Sequence, residues 1–211
     1  MTSSPQPRPP TISRCVRVLG VDPAVSGATG YGIVEVNGSV QQLIRFGALK
    51  LSVRTPFDER LRQIHRLIVS LLDEFSPDAV AVESVFTALN MRTALKLAEV
   101  RGVVLLAAAQ ARVPAHSYSP REVKANIAGF GAASKQQMQQ MIRSLLGLAT
   151  APEPADAADA LAIALCHAQM ARSRARIAKA TEVRALGNSS AALSRRVSAR
   201  RISLRADAAD V

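Results

Sequence analysis

The chain has 211 residues, 48% hydrophobic and 20% charged, so it is long enough for one domain with a core and is not disordered throughout. Its 27 Lys and Arg against 16 Asp and Glu give a net charge of +11, which favours anionic partners such as nucleic acid or a membrane surface. The longest apolar runs, such as 102–109, are too short to span a bilayer. Cys15 and Cys166 have no metal-binding spacing, so we expect reduced, buried thiols of a cytoplasmic protein.

The basic excess is concentrated at the C-terminal end. Residues 172–211 hold ten Arg and Lys and three Asp and Glu. Residues 1–14 are rich in Pro and Ser and carry no apolar run. We therefore predict a disordered lead over 1–14, one domain over 15–172 and a basic, disordered tail over 173–211. The tail suits nucleic-acid phosphates or an anionic membrane, and a merely solvated stretch is the alternative.

Three β-type runs open the domain, at 15–22, 30–36 and 42–52. Asn37-Gly38 between the last two is a strong hairpin signal and predicts an antiparallel meander. An amphipathic helix follows over 56–75, and then residues 78–86 form an apolar run broken by Glu83, as in a buried parallel strand.

Helical patterns dominate the rest of the domain. They cover 90–112, 121–129, 134–148 and 155–172, with a short strand at 115–119. This order predicts a mixed α/β sheet, an antiparallel meander followed by parallel strands, with helices on its faces.

Four acidic residues stand where a core has no use for them. Asp22 ends the first strand, Glu83 interrupts an apolar strand, and Asp156 and Asp159 open the last helix. If the first and fourth strands run parallel and adjacent, Asp22 and Glu83 meet at the carboxyl edge of the sheet, where sites form in such folds. Four carboxylates on three elements need a cation to offset their repulsion, and an all-oxygen donor set favours Mg²⁺ or Mn²⁺.

Each acid also has a structural alternative. Asp22 precedes Pro23 and suits a turn. Glu83 could pair with an arginine, and the two aspartates could cap a helix and favour its dipole. The histidines His65, His116 and His167 are dispersed, and we predict structural roles for them.

Several ordered blocks resemble the RuvC family of Holliday-junction endonucleases, which belong to the ribonuclease H-like superfamily. The blocks are "LGVDPAVSGATGYGIVEV", "AVAVESVFTALNMRTALKLAEVRGVV", "YSPREVKANIAGFGAASKQQMQQMI" and "PADAADALAIALCHA". They run from about residue 16 to 172. The resemblance implies a ribonuclease H-like fold with a five-stranded mixed sheet. One departure is Ala24, where the family usually has Gly, in a loop that is one residue longer.

The resemblance also implies an activity. Asp22, Glu83, Asp156 and Asp159 take the places of the family's acidic tetrad, which binds Mg²⁺ or Mn²⁺, two ions per site, and activates water for attack on a DNA phosphate. Paired symmetric nicks would resolve a four-way junction in recombination and repair, leaving 5′-phosphate and 3′-hydroxyl ends. Phe86, Lys124 and Lys135 match the family's DNA-contacting positions. The alternatives are an ordinary core phenylalanine and solvated lysines.

The family further implies partners. It forms homodimers, which suits the apolar surface of the helix over 91–109, and it works with the RuvA–RuvB branch-migration complex. No membrane partner is expected. The main alternative is a ribonuclease H-like nuclease that acts on RNA or another branched nucleic acid. An actin-like ATPase would need a second Gly-rich phosphate loop that the chain lacks, and a DNA-binding protein without catalysis would have no need of the four acids.

Overall fold

The computed structural model describes residues 15–84 and 90–206, and for Lys179 and residues 182–206 it describes the backbone alone. The predicted lead over 1–14, Phe86, Asp207 and Asp210 lie outside the described residues. The chain divides into two units, the first ending at Gln169 and the second beginning at Met170.

The first unit is built on a five-stranded mixed sheet, which confirms the predicted architecture. The strands are β1 (Val16–Asp22), β2 (Thr29–Asn37), β3 (Val40–Leu49), β4 (Ala79–Glu83) and β5 (Ala115–Tyr118). Strand β1 pairs with β2 antiparallel and with β4 parallel, and the strand order is β3-β2-β1-β4-β5. The β2–β3 connection is the predicted hairpin, because Asn37 pairs with Val40 and Gly38 adopts the positive φ of 59° that such a tight turn requires.

The structure has the helices α1 (Phe57–Phe75), α2 (Met91–Gln110), α3 (Pro120–Ala128), α4 (Lys135–Leu145) and α5 (Ala155–Ala206). Helices α1 and α2 cover one face of the sheet. Leu19 and Val21 of β1 join a buried core with residues of α1 and α2, such as Ile68 and Val104. Because successive strand residues point to opposite faces, Gly20 and Asp22 of β1 face the other side.

Helix α5 lies on that other side, and glycines set its distance from the sheet. A Cβ atom on Gly20 would overlap the backbone carbonyl oxygen of Ala160, and one on Gly32 would stand 2.6 Å from the side chain of Leu161. The buried alanines of α5 complement these glycines, so helix and sheet backbones approach closely. The close fit fixes the start of α5 against β1 and β2.

Two expectations from the sequence differ from the structure. Cys15 is exposed at the start of β1, so the prediction of two buried thiols is wrong for Cys15 and confirmed for Cys166. Cys15 precedes the paired part of the strand, where no helix covers it. Helix α5 continues to Ala206, whereas the sequence led us to expect no regular structure after Arg172. Ala and Arg have high intrinsic helix propensity and favour a helix after Arg172, although the run from Gly187 to Ser190 consists of weaker helix formers. No helix in the described part of the chain has the length and apolarity to cross a bilayer.

Candidate active site

Asp22 and Glu83 end two neighbouring parallel strands. Val21 pairs with Val82 in the β1–β4 register, so the next residues, Asp22 and Glu83, emerge side by side at the carboxyl edge of the sheet. The sequence left open whether the first and fourth strands are parallel and adjacent, and in the structure β4 runs parallel to β1 with no strand between them. The strands thus bring together two acids that are 61 positions apart in the chain.

Close packing on a glycine brings the start of α5 to the same edge. A Cβ atom on Gly30, which pairs with Asp22 across β1 and β2, would overlap the backbone carbonyl of Asp156. The backbone N–H groups of Ala157 and Ala158 donate to the carbonyl oxygen of Pro154, the residue before the helix. Neither aspartate therefore stands at the N-cap position, which weakens the interpretation that they serve as caps.

Three of the four acids line one cavity of about 240 Å³. Asp22, Glu83 and Asp159 form its acidic side, and Lys124 and Lys135 face them. The remaining lining is largely apolar, and consists of Pro120, Val123, Met138, Ala162 and Ile163. Asp156 does not line the cavity, although its negative charge acts on Asp22. The sequence singled out the charged residues of this cavity but not its apolar wall.

Burial and crowding make Asp22 an unusual carboxyl group. The pKa of Asp22 is raised to about 8, first by burial and then by the charges of Glu83 and Asp159, a hydrogen bond to Glu83 and the charge of Asp156. The pKa of Glu83 is also raised, first by burial and then by Asp159, while the hydrogen bond with Asp22 and the positive charge of Lys124 lower it. The hydrogen bond between the two carboxyl groups requires a proton, and burial favours the neutral form. At neutral pH the two acids therefore share one proton.

The two lysines predicted to contact DNA lie on short, well-capped helices. Ser119 and Glu122 form a capping box at the start of α3, which carries Lys124, and Ser134 and Gln137 form another at the start of α4. Lys135 is the first residue of α4, and its Nζ lies 3.4 Å from Oδ2 of Asp159 in an exposed ion pair. Both lysines thus place positive charge beside the acids.

The donor set fits a hard divalent cation, since carboxylate oxygens are the ligands that Mg²⁺ and Mn²⁺ prefer. No three acidic, His or Cys side chains within 15–84 and 90–181 already stand in a chelating arrangement. Of the four acids, Asp22 has a pKa raised by burial and by its acidic neighbours, and Asp159 pairs with the ammonium group of Lys135. A divalent cation held by these carboxyl groups would offset their mutual repulsion, so the donor set suits such an ion.

The structure bears on two of the structural explanations considered for the sequence, an ion pair for Glu83 and structural roles for the histidines. In the described part of the chain no arginine pairs with Glu83, so that explanation of a buried acid in β4 fails. His167 is buried and hydrogen-bonded through Nδ1 to the hydroxyl of Tyr118 at 2.7 Å, and its ring lies 4.5 Å from that of His116. Nε2 of His65 lies 3.0 Å from Oε1 of Gln110. The three histidines therefore have the structural roles predicted for them.

Solved structures with the same fold include nucleases. Thermus thermophilus RuvC in complex with a Holliday junction substrate matches with a TM-score of 0.71 and 40% identity, covering 75% of this chain and 96% of that one. The yeast mitochondrial Holliday junction resolvase Ydc2 matches with a TM-score of 0.53 at 15% identity, a likeness of fold alone, covering 74% of this chain and 81% of that one. Fold and acidic site together define the chain as a nuclease of the ribonuclease H-like class.

Sequence relatives narrow that class to one family. The family model "Crossover junction endodeoxyribonuclease RuvC" matches residues 18–167. A crossover junction endodeoxyribonuclease RuvC of Chloroflexus aurantiacus is 49% identical over 156 residues, covering 74% of this chain and 94% of that protein. One of Thermotoga petrophila is 43% identical over 159 residues, covering 75% and 96%. The chain belongs to the RuvC family of crossover junction endodeoxyribonucleases.

Proposed function

We propose that this endodeoxyribonuclease resolves Holliday junctions by hydrolysis at the edge where Asp22, Glu83, Asp156 and Asp159 meet. The observation that carries the proposal is the convergence of acids from β1, β4 and α5 at one edge of the sheet, where Asp22, Glu83 and Asp159 line one cavity. Carboxyl groups crowded in this way destabilise a fold unless a cation joins them. A role in holding metal for phosphodiester hydrolysis explains why the protein keeps acids that lower its stability when no cation is bound.

Each acid would hold metal from a different position. Asp22 and Glu83 act from rigid strand ends, while Asp156 and Asp159 act from the first turns of a helix that is packed on the sheet. When bound there, Mg²⁺ or Mn²⁺, proposed as two ions per site, would activate water and stabilise the leaving 3′-oxygen. Asp22 would have to give up its proton to serve as a carboxylate ligand. The products are a 5′-phosphate and a 3′-hydroxyl.

We propose that Lys124 and Lys135 position the DNA backbone. Both line the cavity with the acids, and Lys135 is 60% exposed at its side chain, so a phosphate can reach it. An ammonium group that now neutralises Asp159 can turn to a phosphate once a metal ion occupies the acids. Phe86, which lies outside the described residues, is proposed from the family resemblance to stack on bases at the junction.

Cleavage assays with matched substrates test the proposed function. With Mg²⁺, the full chain should cut a synthetic four-way junction at paired symmetric positions and leave a linear duplex of the same sequence intact. An RNA–DNA hybrid tests the alternative of a nuclease acting on RNA. Preferential cutting of the hybrid, or equal cutting of the linear duplex, would contradict junction resolution.

We also propose that the enzyme acts as a homodimer through α2. Along one side of this helix, at spacings of three and four, every residue is exposed and either apolar or small: Met91, Leu95, Ala98, Gly102, Leu106 and Ala109. Met91 is 74% exposed, Leu95 58% and Leu106 53%. A Cβ atom on Gly102 would meet nothing within 4 Å, so a second helix backbone can approach there. Two copies related by a two-fold axis suit paired cuts in a four-way junction.

Leu106→Glu tests the dimer. A charge buried in an apolar interface weakens association strongly, so the variant should sediment as a monomer at concentrations where the unmodified chain sediments as a dimer. Val53→Glu is the matched control, because Val53 is 85% exposed in the loop between β3 and α1 and is not part of α2. Equal sedimentation of both variants as dimers would contradict this interface. Association with RuvA–RuvB and a cytoplasmic location stay predictions from the resemblance.

A further inference from the structure

The C-terminal segment 172–206, here called the basic arm, is a helix of one charge sign. It holds ten Lys and Arg and one acid, Glu182, whereas residues 1–171 hold 17 basic and 13 acidic residues. A solvated helix normally mixes both signs, because opposite charges three or four positions apart stabilise it. The arm has almost no such pairs available. Its charge pattern therefore points to an external anion.

The first part of the arm is open to solvent. All side chains from Arg172 to Ala178 are exposed, including Ile177 at 67%. Arg174 donates its Nε to the backbone carbonyl of Met170 at 3.4 Å, a contact inside the helix. The family model ends at residue 167, so the family's shared part does not include the arm. The arm is thus an addition to a nuclease that already carries its own site.

Nucleic acid suits the arm better than a membrane does. Helices that lie in a membrane interface separate a basic face from an apolar face anchored by aromatic or leucine side chains. The arm has three leucines, Leu186, Leu193 and Leu204, but no aromatic residue, and its ten basic positions fall on all sides of a helix with 3.6 residues per turn, so no separate basic face forms. At about 1.5 Å per residue, the segment is roughly 50 Å long, enough to meet several phosphates of a duplex.

We propose that the basic arm binds the phosphate backbone of duplex DNA without sequence preference and strengthens the hold of the enzyme on the arms of its junction. The proposal rests on the proposed function, since it takes DNA as the substrate. Each phosphate neutralised releases condensed counterions, so the arm makes binding steeper in its dependence on salt. It adds affinity and leaves the cleavage step to the acids of the first unit.

Charge substitution in the full chain tests the arm. One variant replaces Arg195, Arg196, Arg200, Arg201 and Arg205 with Gln, whose helix propensity is close to that of Arg. The matched control replaces the same five with Lys, which keeps the charge. Junction and linear duplex binding are measured in EDTA between 50 and 200 mM salt. We expect the logarithmic salt slope of the Gln variant to be shallower by about 0.9 for each phosphate that the arm no longer neutralises, and that of the Lys variant to be unchanged.

Several outcomes would overturn the arm proposal. An identical salt slope for the Gln variant and the unmodified chain would remove it. Tighter binding to phosphatidylserine vesicles than to duplex DNA at the same ionic strength, abolished in the Gln variant, would assign the arm to a membrane instead. Junction cleavage with Mg²⁺ at saturating enzyme and low salt separates the two proposals. If the unmodified chain cuts the junction and the slopes agree, only the arm fails; if it does not cut, the proposed function fails.

Discussion

Helix α5 contains two stretches of opposite character. Between residues 157 and 168 every side chain is buried except that of Asp159, whereas every side chain from Arg172 to Ala178 is exposed. The two stretches also differ in composition, because the second holds three arginines in seven residues and the first holds no Arg or Lys. Burial against β1 and β2 gives the first stretch a fixed position, and a fixed position is what a metal ligand needs. The second stretch carries charge, which acts without a fixed position.

The pentapeptide ADAAD makes the same point, since it occurs at 155–159 and again at 206–210. The first copy opens the buried stretch, and its aspartates act on Asp22. The aspartates of the second copy lie outside the described residues, and no core-forming pattern precedes them in the sequence. Identical spacing of two acids therefore does not define a site; partners on other elements do.

The largest expected effect comes from breaking the packing of the first stretch. Gly30→Ala places a methyl group where the backbone of Asp156 now lies, so the helix must move away from the sheet. We expect a loss of about 3 kcal/mol or more in the free energy of unfolding, measured by denaturant titration. Gly27→Ala is the control, because its added Cβ would stand 3.6 Å from that of Ala24, in ordinary contact. Equal stability of the two variants would contradict the packing described for α5.

A smaller effect should follow from removing the titration of Asp22. Its folded pKa of about 8 exceeds the unfolded value, so the metal-free folded state binds the proton more tightly. This group therefore lowers stability as the pH rises from about 4 to about 8, and has no effect below that window. Asp22→Asn should stabilise the protein in EDTA by about 2 kcal/mol at pH 8 and by almost nothing near pH 4.

Thermal unfolding of both proteins across that pH range provides the measurement. The difference between Asp22→Asn and the unmodified chain should grow with pH. A difference that is constant with pH, or that shrinks as pH rises, would contradict the raised pKa of Asp22.

Substitutions in the exposed stretch should have the smallest effect on the free energy of unfolding. Replacing Arg172 and Arg176 with Gln should change the free energy of unfolding by less than about 0.5 kcal/mol, because exposed side chains without buried partners contribute little. Ala164→Gln makes the contrast, since Ala164 is fully buried and the longer side chain overpacks its site. A loss above about 1 kcal/mol in the arginine variant would show that the two stretches do not differ in the way described.

Much of the fold follows from the sequence because its signals are local. The Asn37-Gly38 turn, the apolar run around Glu83 and the amphipathic helix over 56–75 each predicted an element that the structure contains. The prediction that Asp22 and Glu83 meet at the sheet edge depended on β1 and β4 being adjacent, and they are adjacent in the structure. The helical course of the chain beyond Arg172 was missed, because the prediction looked for apolar periodicity, which reports packing against a core and not helix formation as such.

The acids that lie together at the edge of the sheet were predictable from the sequence, whereas their electrostatic state was not. Acids at strand ends and at a helix start identified Asp22, Glu83 and Asp159. Which acid keeps a proton depends on burial and on distances between elements that are far apart in sequence, so the proton shared by Asp22 and Glu83 could not be foreseen. The pairing of Lys135 with Asp159 depends on the placement of α4 beside α5, which no sequence spacing encodes.

The central claim is that Asp22 serves the chemistry and not the binding of DNA. It is tested most directly by measuring junction binding in EDTA and single-turnover cutting with Mg²⁺ on the same Asp22→Asn protein, with Glu153→Gln, an exposed acid outside the acidic cavity, as the control. We predict that Asp22→Asn binds the junction at least as tightly as the unmodified chain and cuts it more than about 100-fold more slowly, while Glu153→Gln does both normally. Cutting by Asp22→Asn within about tenfold of the unmodified rate would contradict the metal site at this edge of the sheet.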